Sequence, residues 1–501
     1  MERGHGKAPG KFQRLALAWY FLLMSATQQV IVIGAGITGL TCAFRLQRSG
    51  IRVLVLEASD SPGGLIATIE KDGFLFEAGP QCPRFGPALW GLVRDLGLED
   101  EFVPGDSRLP RFLLRNGKLH KAPFSPLGFL STRLVGAGSK FRLLTEALRE
   151  SQPPAGEESL AGFVRRKFDD EVLAYLVEPF ISTIFAGDAE QIGVASAFPF
   201  LTRWERKHGS VLRGAIHDRK RNASVESRST SRTKRTGRNL AVTDALPAMG
   251  SFRRGLGTLP KALAEKLGDS IRCGTKVETI NAPAAAGGVD SPWRLQLRNG
   301  KEITSIALVV TTPAYEAARL LGTAAPALSA KLSELYYAPM AVVSSGYDRT
   351  QVRNPLHGFG LMIPRREKLN TFFNVWNSSV IGGRAPEGRV LLTSFAGGAT
   401  NPEFVRLEEK AIAQIVEAEL AGVLGIDGPP VERLVWKIPN ALPQFNVGHA
   451  QTAAAIREAV TGLPGLYLAG NYLEGRSLGD CVEIGSRTAQ EVLSQFSTRS
   501  I

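Results

Sequence analysis

The sequence predicts an α/β chain: a Rossmann-like dinucleotide-binding domain with an inserted helical region and a mainly antiparallel β substrate domain. Three observations carry this. The β-branched run Val30-Ile-Val-Ile33 leads directly into Gly34-Ala-Gly36-Ile-Thr-Gly39. A second apolar run, Val53-Leu-Val-Leu56, closes on Glu57 after a helix-length interval. A third, Gly465-Leu-Tyr-Leu-Ala-Gly470-Asn471, precedes Gly479-Asp480 and a helical pattern from Cys481 to Phe496.

The first run suits a parallel strand buried on both faces. Gly34 permits the tight turn, Gly36 lets the backbone approach a pyrophosphate, and Gly39 allows the helix to press on the sheet. The helix N-terminal amides then face the phosphates. Glu57 stands where a carboxylate accepts hydrogen bonds from an adenosine ribose. Glycines at this spacing alone are a weak signal; strand, helix and terminal acid in register make it a strong one. The C-terminal run supplies a second phosphate and ribitol cradle. Two cradles at opposite ends of a long chain suit FAD better than NAD.

At 501 residues the chain is long enough for two or three domains sharing a sheet. A hydrophobic fraction of 44% and a mean hydropathy of −0.02 describe a globular protein, not a membrane-spanning one. The net charge of +13 is concentrated: residues 219–238 hold eight Lys/Arg against one acid, Glu226, and residues 1–23 hold four against one. The rest of the chain is nearly balanced, and the basic run contains no aromatic to stack on bases. Nucleic acid is therefore not expected as a partner. Four scattered cysteines without a CxxC pair indicate neither a disulfide framework nor a zinc site, and six histidines show no metal-ligand spacing. A reducing compartment fits best.

In chain order, residues 1–28 form an N-terminal extension. Its basic start and the apolar run Leu15–Leu23 mimic a signal sequence but are too short to span a bilayer. Met24-Ser-Ala-Thr-Gln-Gln-Val30 reads as an alternative beginning, so a mis-assigned start and a genuine signal or anchor both stand. Residues 29–85 are the first FAD-binding segment, with the turn Asp60-Ser-Pro-Gly63-Gly64 and a strand Phe74–Pro80. Residues 86–210 carry helical periodicity, with a membrane-facing stretch expected at Leu127–Leu144, where apolar residues flank Arg133, Lys140 and Arg142. Residues 213–247, rich in Ser, Thr and Arg, read as a disordered basic insertion. Residues 248–315 form the second FAD-binding segment, with strands expected at Ile271–Ile280, Trp293–Leu297 and Ala307–Thr312. Residues 316–454 form the substrate domain, mostly strands before an amphipathic helix Glu408–Leu424. Residues 455–495 form the third FAD-binding segment.

These residues resemble the flavin-dependent amine oxidase superfamily, and within it the oxygen-dependent protoporphyrinogen oxidase family. The likeness runs from Gln29 to about Gln495 outside the basic insertion. Superfamily signals are Gly34–Gly39, Glu57, Gly63-Gly64 and Ala469-Gly-Asn471. Segments similar to the porphyrinogen branch include Phe76-Glu-Ala-Gly-Pro80, Glu178-Pro-Phe-Ile-Ser-Thr-Ile-Phe-Ala-Gly-Asp188, Ser251–Leu263, Gly358-Phe-Gly360, Gly383-Arg-Ala-Pro386, Pro443–His449 and Gly479-Asp-Cys-Val-Glu483. The resemblance implies that FAD contacts Gly34, Ala35, Gly36, Ile37, Thr38, Gly39, Glu57, Ala58, Gly63, Gly64, Gly79, Pro80, Gln81, Val277, Arg476, Ser477 and Leu478. One departure stands out. The superfamily usually has an Arg where this chain has Ser61, which removes a charge-assisted bond of about 1.5–3 kcal/mol if nothing replaces it.

A porphyrinogen is large, apolar and non-planar, with anionic propionates, so its pocket should be greasy with cations at the mouth. By resemblance, Phe359, Gly360 and Met362 form its wall, and Arg111 pairs with a propionate. Read without the family, the same residues are a core aromatic, a core Met and a solvated Arg. The implied chemistry is hydride loss from a meso carbon to flavin N5, three times, with O2 regenerating the flavin and H2O2 leaving. No side chain is expected as a general base. Coproporphyrinogen III is the competing substrate. An amine oxidase or carotene desaturase is the competing enzyme, and a protein like the GDP-dissociation inhibitors the competing non-enzyme. The expected location is cytoplasmic, with peripheral contact to the cytoplasmic membrane face; a homodimer is the oligomeric state left open.

Overall fold

The computed structural model describes residues 28–149, 151–220, 249–283 and 292–498. The readings of residues 1–27 and of most of the basic insertion fall outside these.

The Gln28–Ile33 strand is the centre of the first sheet, because its β-branched residues tolerate burial on both faces. It pairs in parallel with Val53–Leu56 on one side and Glu302–Val310 on the other. The sheet runs Val277–Asn281, Trp293–Leu297, Glu302–Val310, Gln28–Ile33, Val53–Leu56, Ile271–Arg272, and Leu466–Leu468 joins Glu302–Val310 in parallel. Val30 and Val32 face one helical layer, containing Ile37–Arg48, Thr258–Leu267 and Leu478–Thr498. Ile31 and Ile33 face the other, built from Ala314–Leu321, Pro326–Ser333 and His449–Thr461. The C-terminal helix lies close against the first one: a Cβ on Gly485 would sit 2.4 Å from the Thr38 carbonyl.

The second sheet runs Glu432–Pro443, Tyr337–Asp348, Arg389–Gly397, Thr371–Trp376, Gly360–Met362, Arg111–Arg115, Lys118–Lys121. Every pair is antiparallel except Gly360–Met362 with Arg111–Arg115.

Here the expected layout needs correction. Residues 86–210 are largely helical, but they also contain the strands Phe102–Pro104, Arg111–Arg115 and Lys118–Lys121, and the last two complete the substrate sheet. Their cause is local. Asn116 and Gly117 take φ of +51° and +70°, the left-handed pair that a two-residue hairpin demands. The expected strand Ile271–Ile280 is two strands, broken where Gly274 turns at φ +63°. Residues 314–333 and the helix from His449 pack on the dinucleotide sheet, so that body takes more of the chain than expected. The insertion's first residues are ordered too: 211–220 are helical, and the buried Glu146 carboxylate accepts from the Val211 and Leu212 amides at that helix start.

Candidate dinucleotide and substrate site

One continuous cavity of about 1230 Å³ runs from the glycine turn of the first sheet to the face of the second. Gly34, Gly36, Ile37, Thr38, Glu57, Ala58, Gly63, Gly64, Gly79, Pro80, Gln81, Val277, Arg476 and Leu478 line it.

Ala35, Gly39 and Ser477 are not on the wall, and each has a structural task. The Ala35 amide donates to Glu57 Oε2 at 2.7 Å. A Cβ on Gly39 would lie 2.1 Å from the Gly34 carbonyl, so this glycine sets how closely helix meets turn. The Ser477 amide donates to Asp480 Oδ2 at 2.9 Å, and the Ser477 hydroxyl accepts from the Asp480 amide, fixing the last turn before the C-terminal helix.

The lining residues fit FAD. A Cβ on Gly36 would meet nothing within 4 Å, so it would project into the open cradle; the Gly64 backbone stands opposite, its virtual Cβ 3.5 Å from Gly36 Cα. The Ile37–Arg48 helix begins there with no side-chain cap and no acid in its first turn, leaving free amides and the positive dipole end toward the cavity. Glu57 accepts from the Ala35 amide and from the Ser59 amide and hydroxyl. A carboxylate offers about four acceptor sites, so one is left for a ribose hydroxyl. Arg476 contributes differently than expected. Its guanidinium lies 4.5 Å from the Phe185 ring and 5.3 Å from that of Phe198, neither of which lines the cavity. Ser61 does not line the cavity.

At the other end the wall is aromatic. Phe359 is buried, stacked on Phe373 at 6.4 Å, which stacks on Phe395 at 5.8 Å. Phe359 is thus both core aromatic and cavity wall, and Met362 joins it. Gly360 does not line the cavity. Its φ is +155°, and a Cβ there would fall 2.1 Å from the Asn374 carbonyl, so its role is to let the strand pass. The parallel pairing sets Gly360 opposite Arg111, and the Phe359 amide donates to the Pro110 carbonyl at 2.9 Å. Arg111 therefore lies directly over the Phe359 ring, 4.5 Å away, with Phe124 at 5.7 Å. Among the described residues its side-chain hydrogen-bond partner is Met249 Sδ, at 3.9 Å. Burial pushes the Arg111 guanidinium below its ordinary pKa, and the nearby Arg84 charge adds to this.

Sequence reasoning missed Arg84, Cys82, Phe124 and the Phe373–Phe395 stack, all of which line the cavity. The wall's acids are Glu57 and Glu316, both on the dinucleotide body. A buried pair ties the two bodies together: the Glu77 carboxylate accepts from the Leu256 amide and the Thr68 hydroxyl, and lies 3.6 Å from Arg384, whose guanidinium donates to the Phe252 carbonyl.

A double cradle for an extended dinucleotide, opening onto an aromatic chamber, defines an FAD-dependent oxidoreductase. Residues 37–493 match the family described as flavin containing amine oxidoreductase, and the chain belongs to it. Among its relatives are the chloroplastic protoporphyrinogen oxidase of Nicotiana tabacum, 34% identical over 93% of this chain and 86% of that protein, and the coproporphyrinogen III oxidase of Bacillus subtilis, 29% identical over 93% of this chain and 98% of that one. A crystal structure from an Exiguobacterium species, assigned to protoporphyrinogen oxidase, superposes with a TM-score of 0.76 at 25% identity, covering 93% of this chain and 98% of its own. Putrescine oxidase shares the fold at a TM-score of 0.63 and 16% identity, over 94% of this chain and 99% of its own.

Proposed function

We propose that this chain oxidises protoporphyrinogen IX to protoporphyrin IX for haem synthesis, with O2 as acceptor and H2O2 released. The observation that carries the reading is Arg111: a half-buried cation with no carboxylate partner among the described residues, stacked between two aromatic rings at the wall of an apolar chamber that continues into the FAD cradle. An unpaired cation held there costs desolvation unless a ligand supplies the anion. A ring whose edge bears carboxylates and whose body is hydrocarbon fits both halves of that wall.

FAD, when bound, supplies the acceptor for the electrons removed from the ring. The chain binds and orients. Arg111 holds a propionate, and Phe359, Phe373 and Met362 hold the ring body and keep water out. Glu57 and Glu316, the cavity-facing acids among the described residues, lie on the dinucleotide body.

Coproporphyrinogen III is the second reading, favoured by the Bacillus relative. Side-by-side fluorescence assays of both porphyrinogens with purified protein decide between them. Production of coproporphyrin alone replaces the first reading, and no porphyrin from either overturns both.

Peripheral attachment to the cytoplasmic membrane face is part of the same proposal. Phe124, Leu127, Phe141 and Leu148 are 67–80% exposed beside Arg133 and Arg142. Lys140 turns inward instead, donating to the Leu130 and Thr132 carbonyls. Among the described residues no helix is long and apolar enough to cross a membrane. Recovery of all activity in the soluble fraction at low salt removes this part. Dimerisation is the remaining part, and sedimentation at micromolar concentration reads it.

A further inference from the structure

We propose that Arg84 is the second arm of a two-guanidinium clamp: together with Arg111 it binds two carboxylates on one edge of a single ligand. The inference rests on the porphyrinogen reading and adds to it a residue, a stoichiometry and a binding edge.

Both arginines line the same cavity, and their segments meet there: the Gly250 amide donates to the Pro83 carbonyl at 3.2 Å, while the adjacent Met249 Sδ lies 3.9 Å from the Arg111 guanidinium. The Arg84 charge accordingly acts on Arg111. Such proximity is unfavourable without an anion, and among the described residues the acids of the wall do not relieve it. The two cavity-facing acids, Glu57 and Glu316, belong to the dinucleotide body. Among the described residues Arg84 makes no hydrogen bond or ion pair, whereas the surface Arg108 is tied to Asp106. Cys82, an ionisable neighbour of Arg111, is pushed up to about 12 by burial and stays a neutral thiol.

The two differ in setting. Arg111 is stacked and half-buried; Arg84 is exposed and follows Gln81-Cys-Pro83 at the rim. A ligand entering ring-first would meet Arg84 last, so the clamp closes on the edge that faces solvent. Remaining wall cations do not compete for this edge. Lys276 and Arg319 lie on the dinucleotide body, and the Arg476 guanidinium is held 4.5 Å from the Phe185 ring. Two cations therefore match a ring with two adjacent propionates; a ring with four leaves two carboxylates without a partner.

The test uses binding, not turnover. Protoporphyrin IX and its dimethyl ester are titrated in detergent against FAD-loaded parent, Arg84→Ala and Arg84→Lys, with porphyrin fluorescence as readout. The expected result is a loss of about 3- to 10-fold in affinity for the diacid in Arg84→Ala. Arg84→Lys should recover part of it, and neither substitution should change binding of the ester. Unchanged diacid affinity in Arg84→Ala overturns the clamp while leaving the function standing, provided the parent binds the diacid. An equal loss for diacid and ester also overturns it, because that marks a change in cavity shape. If the parent binds neither porphyrin, the functional reading fails and the clamp with it.

Discussion

Replacing Arg111 by alanine tests the functional reading most directly. Among the described residues this side chain touches aromatic faces and a thioether, with no carboxylate. A propionate paired with it in a partly wet chamber gains about 1.5–3 kcal/mol. Its loss should therefore lower kcat/KM roughly 10- to 150-fold. The bond exists in ground and transition states alike, so KM should rise more than kcat falls. Stability should hardly move: the lost stacking over Phe359 costs about 0.5–1 kcal/mol, and removing a desolvated, unpaired cation offsets it. Initial rates of porphyrin fluorescence across substrate concentrations give both constants, and the flavin-to-protein absorbance ratio reports the cofactor. Wild-type rates at sub-saturating porphyrinogen refute the assignment. So does purification without flavin, because Arg111 would then be serving the cradle.

Gly36→Val and Gly39→Val should separate binding from folding. Valine at 36 projects into the open cradle and should give colourless protein with the parent's apo melting temperature, whereas valine at 39 collides with the Gly34 carbonyl and should also unfold early; identical melting of the two apo variants would contradict this. Phe359→Ala should remove about 3–5 kcal/mol of stability as a buried core truncation, so Phe359→Leu is the variant in which a fall in kcat can be attributed to looser ring placement; an unchanged kcat in it argues against wall contact. Burial alone would raise Glu205, but hydrogen bonds from Arg166, Lys167 and Ser151 hold it down at about 2, so it stabilises the fold above the ordinary value of 4.5 and that contribution, about 2 kcal/mol after screening, is lost as pH falls toward 2; Glu205→Gln should melt early at neutral pH and converge with the parent in acid, and a pH-independent gap refutes the linkage. Burial pushes Cys42 and Cys82 up to about 12 and Cys481 to about 11, so a thiol reagent at neutral pH should modify Cys273 first; mass spectrometry showing Cys82 labelled ahead of it would contradict this.

The cradle was legible because its chemistry is local. Gly34, Gly36 and Gly39 act through their own backbone and the next turn, and Glu57 acts on the amide of Ala35 across one strand spacing, so sequence distance and spatial distance nearly coincide. The partition of the chain was less legible. Helices Ala314–Leu321 and Pro326–Ser333 show which face they bury only once Ile31 and Ile33 stand opposite them. The Asn116-Gly117 hairpin was a readable signal that the helical periodicity around it obscured. Arg84 carried no signal at all, since an arginine after a proline at a turn is ordinary until the chamber rim is seen.

The chamber end could not be read as one site because it is made by a pairing between distant strands. Arg111 and Phe359 are about 250 residues apart, and what joins them is one parallel strand pair in an otherwise antiparallel sheet. Parallel pairing leaves no hairpin between its partners, so nothing in either segment announces the other. The register then depends on Gly360, because any side chain there would strike the Asn374 carbonyl and push Gly360–Met362 off its neighbour. With that strand displaced, the Phe359 amide would lose the Pro110 carbonyl and Arg111 would lose the ring it lies on. The glycine that sequence reasoning placed against substrate thus acts one step earlier. It holds the cation over the aromatic face.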